Sequence, residues 1–174
     1  MALPAAAEPF DHLVRLHVIA DDDSPAAQAF KLEIRDAVLT CAQELLSACG
    51  DAAEAWDVLN AHLSDFLAAA IERAKALGFT DRLSVQSGVF AFPDRTYGDV
   101  VIPAGEYRAL RVIIGDGEGQ NWWCVLYPNL CFIDAVHAVV PDEGKKELKE
   151  VLDEEEYEMV TATSKFKIKW FFFR

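Results

Sequence analysis

The sequence predicts a single α+β domain, a mostly antiparallel sheet with about three helices. Three observations predict it. A short alternating stretch at residues 13–20 gives way to helical spacing as far as Leu77. From residue 83 onward, β-branched and aromatic residues alternate between Pro and Gly punctuation. No repeat, linker or charge block divides the 174 residues, a length that suits one domain. We therefore read residues 1–12 as a lead-in or the remnant of a trimmed export segment, and 13–174 as one domain.

Taken in order, "LVRLHVIA" (13–20) reads as a strand, with Val14, Leu16 and Val18 on one face and Leu13, Arg15, His17 and Ile19 on the other. "DDDSPAA" opens a helix, with Asp23 or Ser24 as N-cap and Pro25 near the first helical position. Phe30, Ile34, Val38, Cys41 and Leu45 carry it to about Leu46. Asp51 with Glu54 forms the start of a second helix, striped by Trp56, Leu59, Leu63, Phe66, Ile71, Ala74 and Leu77 and capped by Gly78. A break near Asn60 to Ser64 would split it in two. "LSVQSGVFAF" (83–92) is a strand stopped by Pro93, and 98–115 offers a short strand, a Pro-Ala-Gly turn and a longer strand. "WWCVLY" reads as a buried strand ended by Pro128, while 132–140 is ambiguous between strand and helix. Gly144 to about Val160 reads as an acidic helix with Leu148, Val151, Leu152 and Val160 inward. "KFKIKWFFF" (165–173) alternates as a half-buried strand.

Charge narrows the partners. With 29 acids against 16 bases the net charge is -13, so a nucleic-acid backbone or an anionic membrane surface would be repelled. No run of apolar residues is long enough for a membrane span, so this chain is not expected to insert. Nothing in the spacing asks for a cofactor.

The motif that carries most information is "GEGQNWWCVLYPNLCF" (117–132). As a phosphate loop it fails, because "GDGEGQN" holds Asp116 and Glu118, lacks a lysine and leads into a strand; it reads as a flexible turn between strands. Cys124 is the candidate nucleophile, with His17 or His137 the imidazole that would have to activate it. The competing reading is a Cys124–Cys131 disulfide, or simple packing of the two thiols, and the residues favour it because no catalytic partner is displayed. Cys124, Cys131 and a histidine match no zinc spacing, and "DDDS" (21–24) lacks the glycine and terminal glutamate of a calcium loop, so no metal site is expected. Arg15 and His17 share a strand face as a possible cleft, or lie half-exposed beside a neutralising neighbour such as Glu106. Trp122 and Trp123 point to opposite faces of an extended strand, one toward the core and one as a surface anchor of the hot-spot type.

These same residues carry a resemblance. "VRLHVIA" (14–20), "DSPAAQAFKLEIRDAVL" (23–39) and "FPDRTYGDVVIPAGEYRALRVIIGDGEGQNWWCVLYPNLCF" (92–132) resemble, in order, the two blocks of the stage II sporulation protein R family. "PAGEY", "NWWC" and "LCF" are its specific pieces, and residues 133–174 add little. The resemblance implies a non-enzymatic signalling protein of endospore-forming bacteria, exported into the space between forespore and mother-cell membranes. Its implied partner is a membrane-embedded aspartic protease of the mother cell, which processes a pro-sigma factor. The chain departs from the family in lacking the hydrophobic export segment, as expected of a trimmed form, and in carrying "DDDSP" where the family has Asn-Ser-Asp. Export favours the Cys124–Cys131 disulfide. Binding residues are then expected at Asn121, Trp122 and Trp123, with Arg15 and His17 as a second patch; the alternative is a thiol hydrolase with Cys124 as nucleophile and His17 as base.

Overall fold

The computed structural model describes residues 11–97, 100–131, 142–157 and 160. The stretches 132–140 and 165–173, and all but the last two residues of the expected lead-in, lie outside them. The elements are β1 (Val14–Ile19), α1 (Pro25–Leu46), α2 (Ala52–Ala61), α3 (Leu63–Ala76), β2 (Leu83–Phe92), β3 (Arg95–Tyr97), β4 (Val100–Ile102), β5 (Gly105–Ile114), β6 (Asn121–Tyr127) and α4 (Asp142–Val151). The architecture is α+β.

A four-stranded sheet runs β2-β5-β1-β6, and β3 pairs with β4 in a separate ribbon. β2 with β5 and β1 with β6 are antiparallel, while β1 with β5 is parallel, so the sheet is mostly antiparallel with one parallel seam at its centre. That seam follows from connectivity: three helices separate β1 from the later strands, enough chain to return it in the same direction. β3 is a strand that sequence patterning had not separated from its surroundings.

Alternation decides which side chain meets which layer. Val14, Leu16 and Val18 of β1, Leu110, Val112 and Ile114 of β5, and Cys124 and Leu126 of β6 form one core with α1, α2 and α3. On the other face Leu13, Tyr107, Ala109 and Val125 pack with Phe92, with Val100 and Ile102 of β4, and with Leu148, Leu152 and Val160. β1 is thus covered on both sides. The sheet is the middle layer of three.

Local chemistry sets the helix ends. Ser24 caps α1 through its hydroxyl, which accepts from Ala27 N at 3.2 Å, with Pro25 in the first turn. Asp51 caps α2 by accepting from Glu54 N at 2.8 Å, and the Glu54 carboxylate reaches back to Gly50 N at 2.8 Å. The expected break falls at His62, which ends α2 and starts α3. Leu77 turns out exposed and terminal: Gly78 N donates to Lys75 O and Phe79 N to Ala74 O, and Gly78 takes the left-handed conformation. The acidic helix expected to about Val160 is interrupted. α4 stops at Val151, and Asp153 and Glu156 then exchange side-chain-to-backbone hydrogen bonds at 2.8 and 3.1 Å to start a fresh turn over 154–157.

The "GDGEGQN" segment links β5 to β6, but these are not neighbours. It passes over the end of β1, and it is tied down there, so the expectation of a flexible turn is corrected. Glu118 N donates to Asp21 O at 3.0 Å and Gly119 N to Ala20 O at 2.9 Å. Asp116 N donates to the Asp21 carboxylate and Gln120 N to the Asp23 carboxylate, both at 2.8 Å. A side chain at Gly119 would run into the Asp22 backbone carbonyl. Gly119→Ala should therefore push two backbone segments apart and lower stability by about 1–3 kcal/mol. Urea unfolding of the purified variant measures it, and an unchanged midpoint would contradict this view of the loop.

Candidate functional site

The conspicuous surface feature of the sheet is its β6 edge. Among the described residues no strand pairs with β6 on the side away from β1. Because β6 is extended, its two adjacent tryptophans leave on opposite faces, as the alternation predicts. Neither is fully buried, and each is pinned by a different set of groups.

Trp122 lies on the helical side, with the Arg35 guanidinium of α1 over its ring at 4.4 Å. Arg35 is itself held by Asp36 at 2.7 Å. The Trp122 indole Nε1 is buried and has no hydrogen-bond partner among the described residues. Trp123 lies on the other side, stacked on the His17 ring at 5.0 Å and 15° and met edge-on by Phe92 at 4.9 Å. Arg95 of β3 sits above it at 5.7 Å. Asn121 begins the strand opposite Ile19, half-buried.

Arg15 and His17 do share a face, but it is an interior face and no cleft opens there: they are 0% and 2% exposed. Arg15 donates from Nε to the Cys124 carbonyl at 3.3 Å and lies over the Phe92 and Tyr107 rings at 4.4 and 4.8 Å. The suggested neutralising neighbour is elsewhere. Glu106 is exposed and pairs in register with Ala91, while Arg15 pairs with Ala109.

His17 lies across from Arg111 in the parallel seam and accepts from its Nε at 3.0 Å through Nε2. An accepting Nε2 carries no proton, so the ring is the neutral Nδ1–H tautomer. Burial, then the Arg111 charge, depresses its pKa from the ordinary 6.5 to about 4, with Arg15 adding in the same direction. Asn121 opposes this slightly, yet neither His17 Nδ1 nor Asn121 Oδ1 makes a hydrogen bond of normal geometry. The sequence does not single out Arg35, Arg95 and Phe92 beside the two tryptophans, nor Arg111, which acts through His17. Alternation alone places Arg111 on the Tyr107 side of its strand, but only strand order puts it beside His17.

Cys124 and Cys131 form a disulfide, with Cα atoms 5.2 Å apart. It staples the turn after β6 into the helical-side core. The nucleophile reading loses both of its parts. The Cys124 sulfur is bonded, and Cys124 pairs with Leu16 on the sheet face opposite to His17. The phosphate-loop reading fails too, since the amides of Asp116, Glu118, Gly119 and Gln120 are already spent on residues 20–23. "DDDS" serves as acceptors: Asp21 and Asp23 hold this loop, and Asp22 accepts from Ser24 N at 2.8 Å. Lys31, buried on α1, completes the clamp by donating to Gln120 O at 3.0 Å. Among the described residues no group of three or more His, Cys, Asp or Glu is arranged to hold a metal ion, and no helix is long and apolar enough to cross a membrane.

Comparison with known proteins gives one consistent result. The sequence profile described as stage II sporulation protein R matches residues 10–137. The stage II sporulation protein R of Bacillus subtilis (strain 168) is 37% identical over 153 residues, covering 87% of this chain and 68% of that protein. No solved structure matches.

Two stability measurements check the geometry. Replacing Cys124 and Cys131 together by Ala opens an eight-residue ring and should cost roughly 2–2.5 kcal/mol in chemical unfolding by the loop-entropy relation. His17 should leave a pH signature. Its folded pKa of about 4 lies below the unfolded 6.5, so the unfolded chain holds the extra proton between these values. The stabilisation is complete above pH 6.5 and declines as pH falls toward 4, by up to about 1.4 kcal/mol per pH unit. The stability difference between wild type and His17→Phe should shrink over that window; a difference independent of pH would refute a neutral buried His17.

Proposed function

The chain belongs to the stage II sporulation protein R family, and on that premise we propose that it is an exported sporulation signal that works by binding. Its target in this reading is a membrane-embedded aspartic protease of the mother cell, facing the space between the two membranes. Engagement favours the active state of that protease, which then trims a pro-sigma factor. Tight binding alone is insufficient for this. To move a receptor from 1:99 to 99:1 the signal must prefer the active state by roughly ten-thousand-fold.

The observation that carries the proposal is the Asn121-Trp122-Trp123 start of β6. Two partly buried tryptophans stand on a strand that has no further partner among the described residues, already clamped by Arg35 on one side and by His17 and Phe92 on the other. Pre-set aromatic anchors lose little side-chain freedom on binding, which is what a hot spot requires. Arg15 and His17, expected from the sequence as a second contact patch, enter the proposal as buried groups: His17 stacks on Trp123, and Arg15 lies over the Phe92 ring that meets it. The disulfide agrees with export, since such bonds persist in oxidising compartments. An overall charge of -13 suits a protein receptor better than a lipid or nucleic-acid surface.

In a membrane preparation holding the receptor protease and its pro-sigma substrate, Trp122→Ala and Trp123→Ala should each reduce processing at limiting signal concentration. Truncating a hot-spot residue costs ~2 kcal/mol, so about a thirtyfold weakening is expected for whichever ring is central. Both variants need an unchanged circular dichroism spectrum. Full activity in both folded variants would remove β6 as the binding edge.

A further inference from the structure

The sheet face that carries His17 is covered unevenly. Around Phe92, Tyr107 and Val125 the second layer closes over it. Burial gives way along one row of cross-strand partners, Gln86, Arg111, His17 and Trp123: His17 is buried, Arg111 and Trp123 are partly exposed, and Gln86 is exposed. In the next row Ser84, Ile113, Ile19 and Asn121 are all partly exposed, and neither row contains an acid.

Arg111 is fixed in this place without being neutralised. Its Nε donates to His17 Nε2 at 3.0 Å, and its guanidinium lies over the Phe90 ring at 3.7 Å. The acceptor is a neutral imidazole, so the positive charge of Arg111 is left uncompensated. The N–H donors on Nη1 and Nη2 have no hydrogen-bond partner among the described residues. Elsewhere Arg35, Arg73 and Arg82 each meet a carboxylate; Arg111 meets none, and neither does Arg95 above Trp123. In a chain of net charge -13, two such cations bordering the one His17–Trp123 stack stand against the sign of the molecule as a whole.

We propose that Arg111 is the anchor for an aspartate or glutamate side chain of the partner protein. With Nε committed to His17, the carboxylate would be met end-on by Nη1 and Nη2 through two charge-assisted hydrogen bonds. Phe90 and His17 hold the fork in place beforehand, so little side-chain freedom is lost on binding. Arginine so placed is a common hot-spot residue. Arg95 adds long-range attraction from beside Trp123. The inference rests on the β6 reading for the identity of the partner, and it names what that partner must present: an acid next to its tryptophan contact.

The test is a titration of the isotopically labelled full chain with the capped tripeptide acetyl-Ala-Asp-Ala-amide. Its uncharged counterpart is acetyl-Ala-Asn-Ala-amide. The aspartate peptide should move the Arg111 Nε–H signal and the Asn121 side-chain amide, and the asparagine peptide should not. R111Q should weaken the aspartate peptide by about tenfold or more, the loss expected when a hydrogen bond to a charged group is removed. Should R111Q misfold, wild type in high salt takes its place, and the Arg111 shift should disappear there. Equal shifts with both peptides, no shift at tens of millimolar peptide, or unchanged affinity in folded R111Q would each overturn the proposal. If Trp122→Ala or Trp123→Ala impairs processing while the aspartate peptide ignores Arg111, this inference falls and the β6 reading stands. If the peptide binds at Arg111 while neither tryptophan variant alters processing, the receptor reading falls and the carboxylate site is upheld.

Discussion

The structure depends on one constraint: β1 is hydrogen-bonded on both sides and covered on both faces. Its side chains from Val14 to Val18 are all buried, and two of them, Arg15 and His17, are basic. A bare buried charge would cost several kcal/mol or more. The two residues escape that cost in different ways. Arg15 lies over the Phe92 and Tyr107 rings and donates to the Cys124 carbonyl. His17 gives up its charge, accepts from Arg111 and becomes a flat apolar surface for Trp123. The aromatic composition of the β2–β5–β6 neighbourhood follows from these needs, and so does the fixed orientation of Trp123.

The second dependence is at the end of the same strand. The β5–β6 connection must cross over β1, because β1 lies between the two strands it joins. A crossing backbone brings its own amide groups close to another backbone, and these must be satisfied. Gly119 permits the approach, and Asp21 and Asp23 supply the acceptors. Lys31 then bolts the crossing to α1, coupling the helical layer to the strand that carries the tryptophans. The disulfide secures the other end of β6. The aromatic edge is thus held at both ends by local chemistry, which is the condition for presenting it to a partner without a large ordering cost.

Much of this was legible in one dimension. Helix caps at Ser24, Asp51 and Gly78, the split near His62, and the extents of β2, β5 and β6 all rest on short-range rules, and the chain obeys them. What misled were groups whose meaning depends on distant neighbours. "DDDS" lacks the pattern of a metal loop, yet its acids have no visible task until Asp116 and Gln120 arrive as donors. Arg15 and His17 look like a surface patch until a second layer closes over them. Cys124 and His17 are a plausible nucleophile and base until the strand pairing puts them on opposite faces of the sheet.

The sequence by itself determined the family, the α+β class, the alternation that sends Trp122 and Trp123 to opposite faces, and the capping chemistry. These are properties of periodicity and of residues within a few positions of one another, so the chain states them directly. Only the tertiary structure decided that β1 and β5 run parallel, that His17 is neutral, that Arg111 and Phe92 support Trp123, and that Cys124 is a staple. Each of those depends on which strands become neighbours and which face a second layer covers. Contacts made across such distances in the chain come from the packing of whole layers, and no local pattern records them.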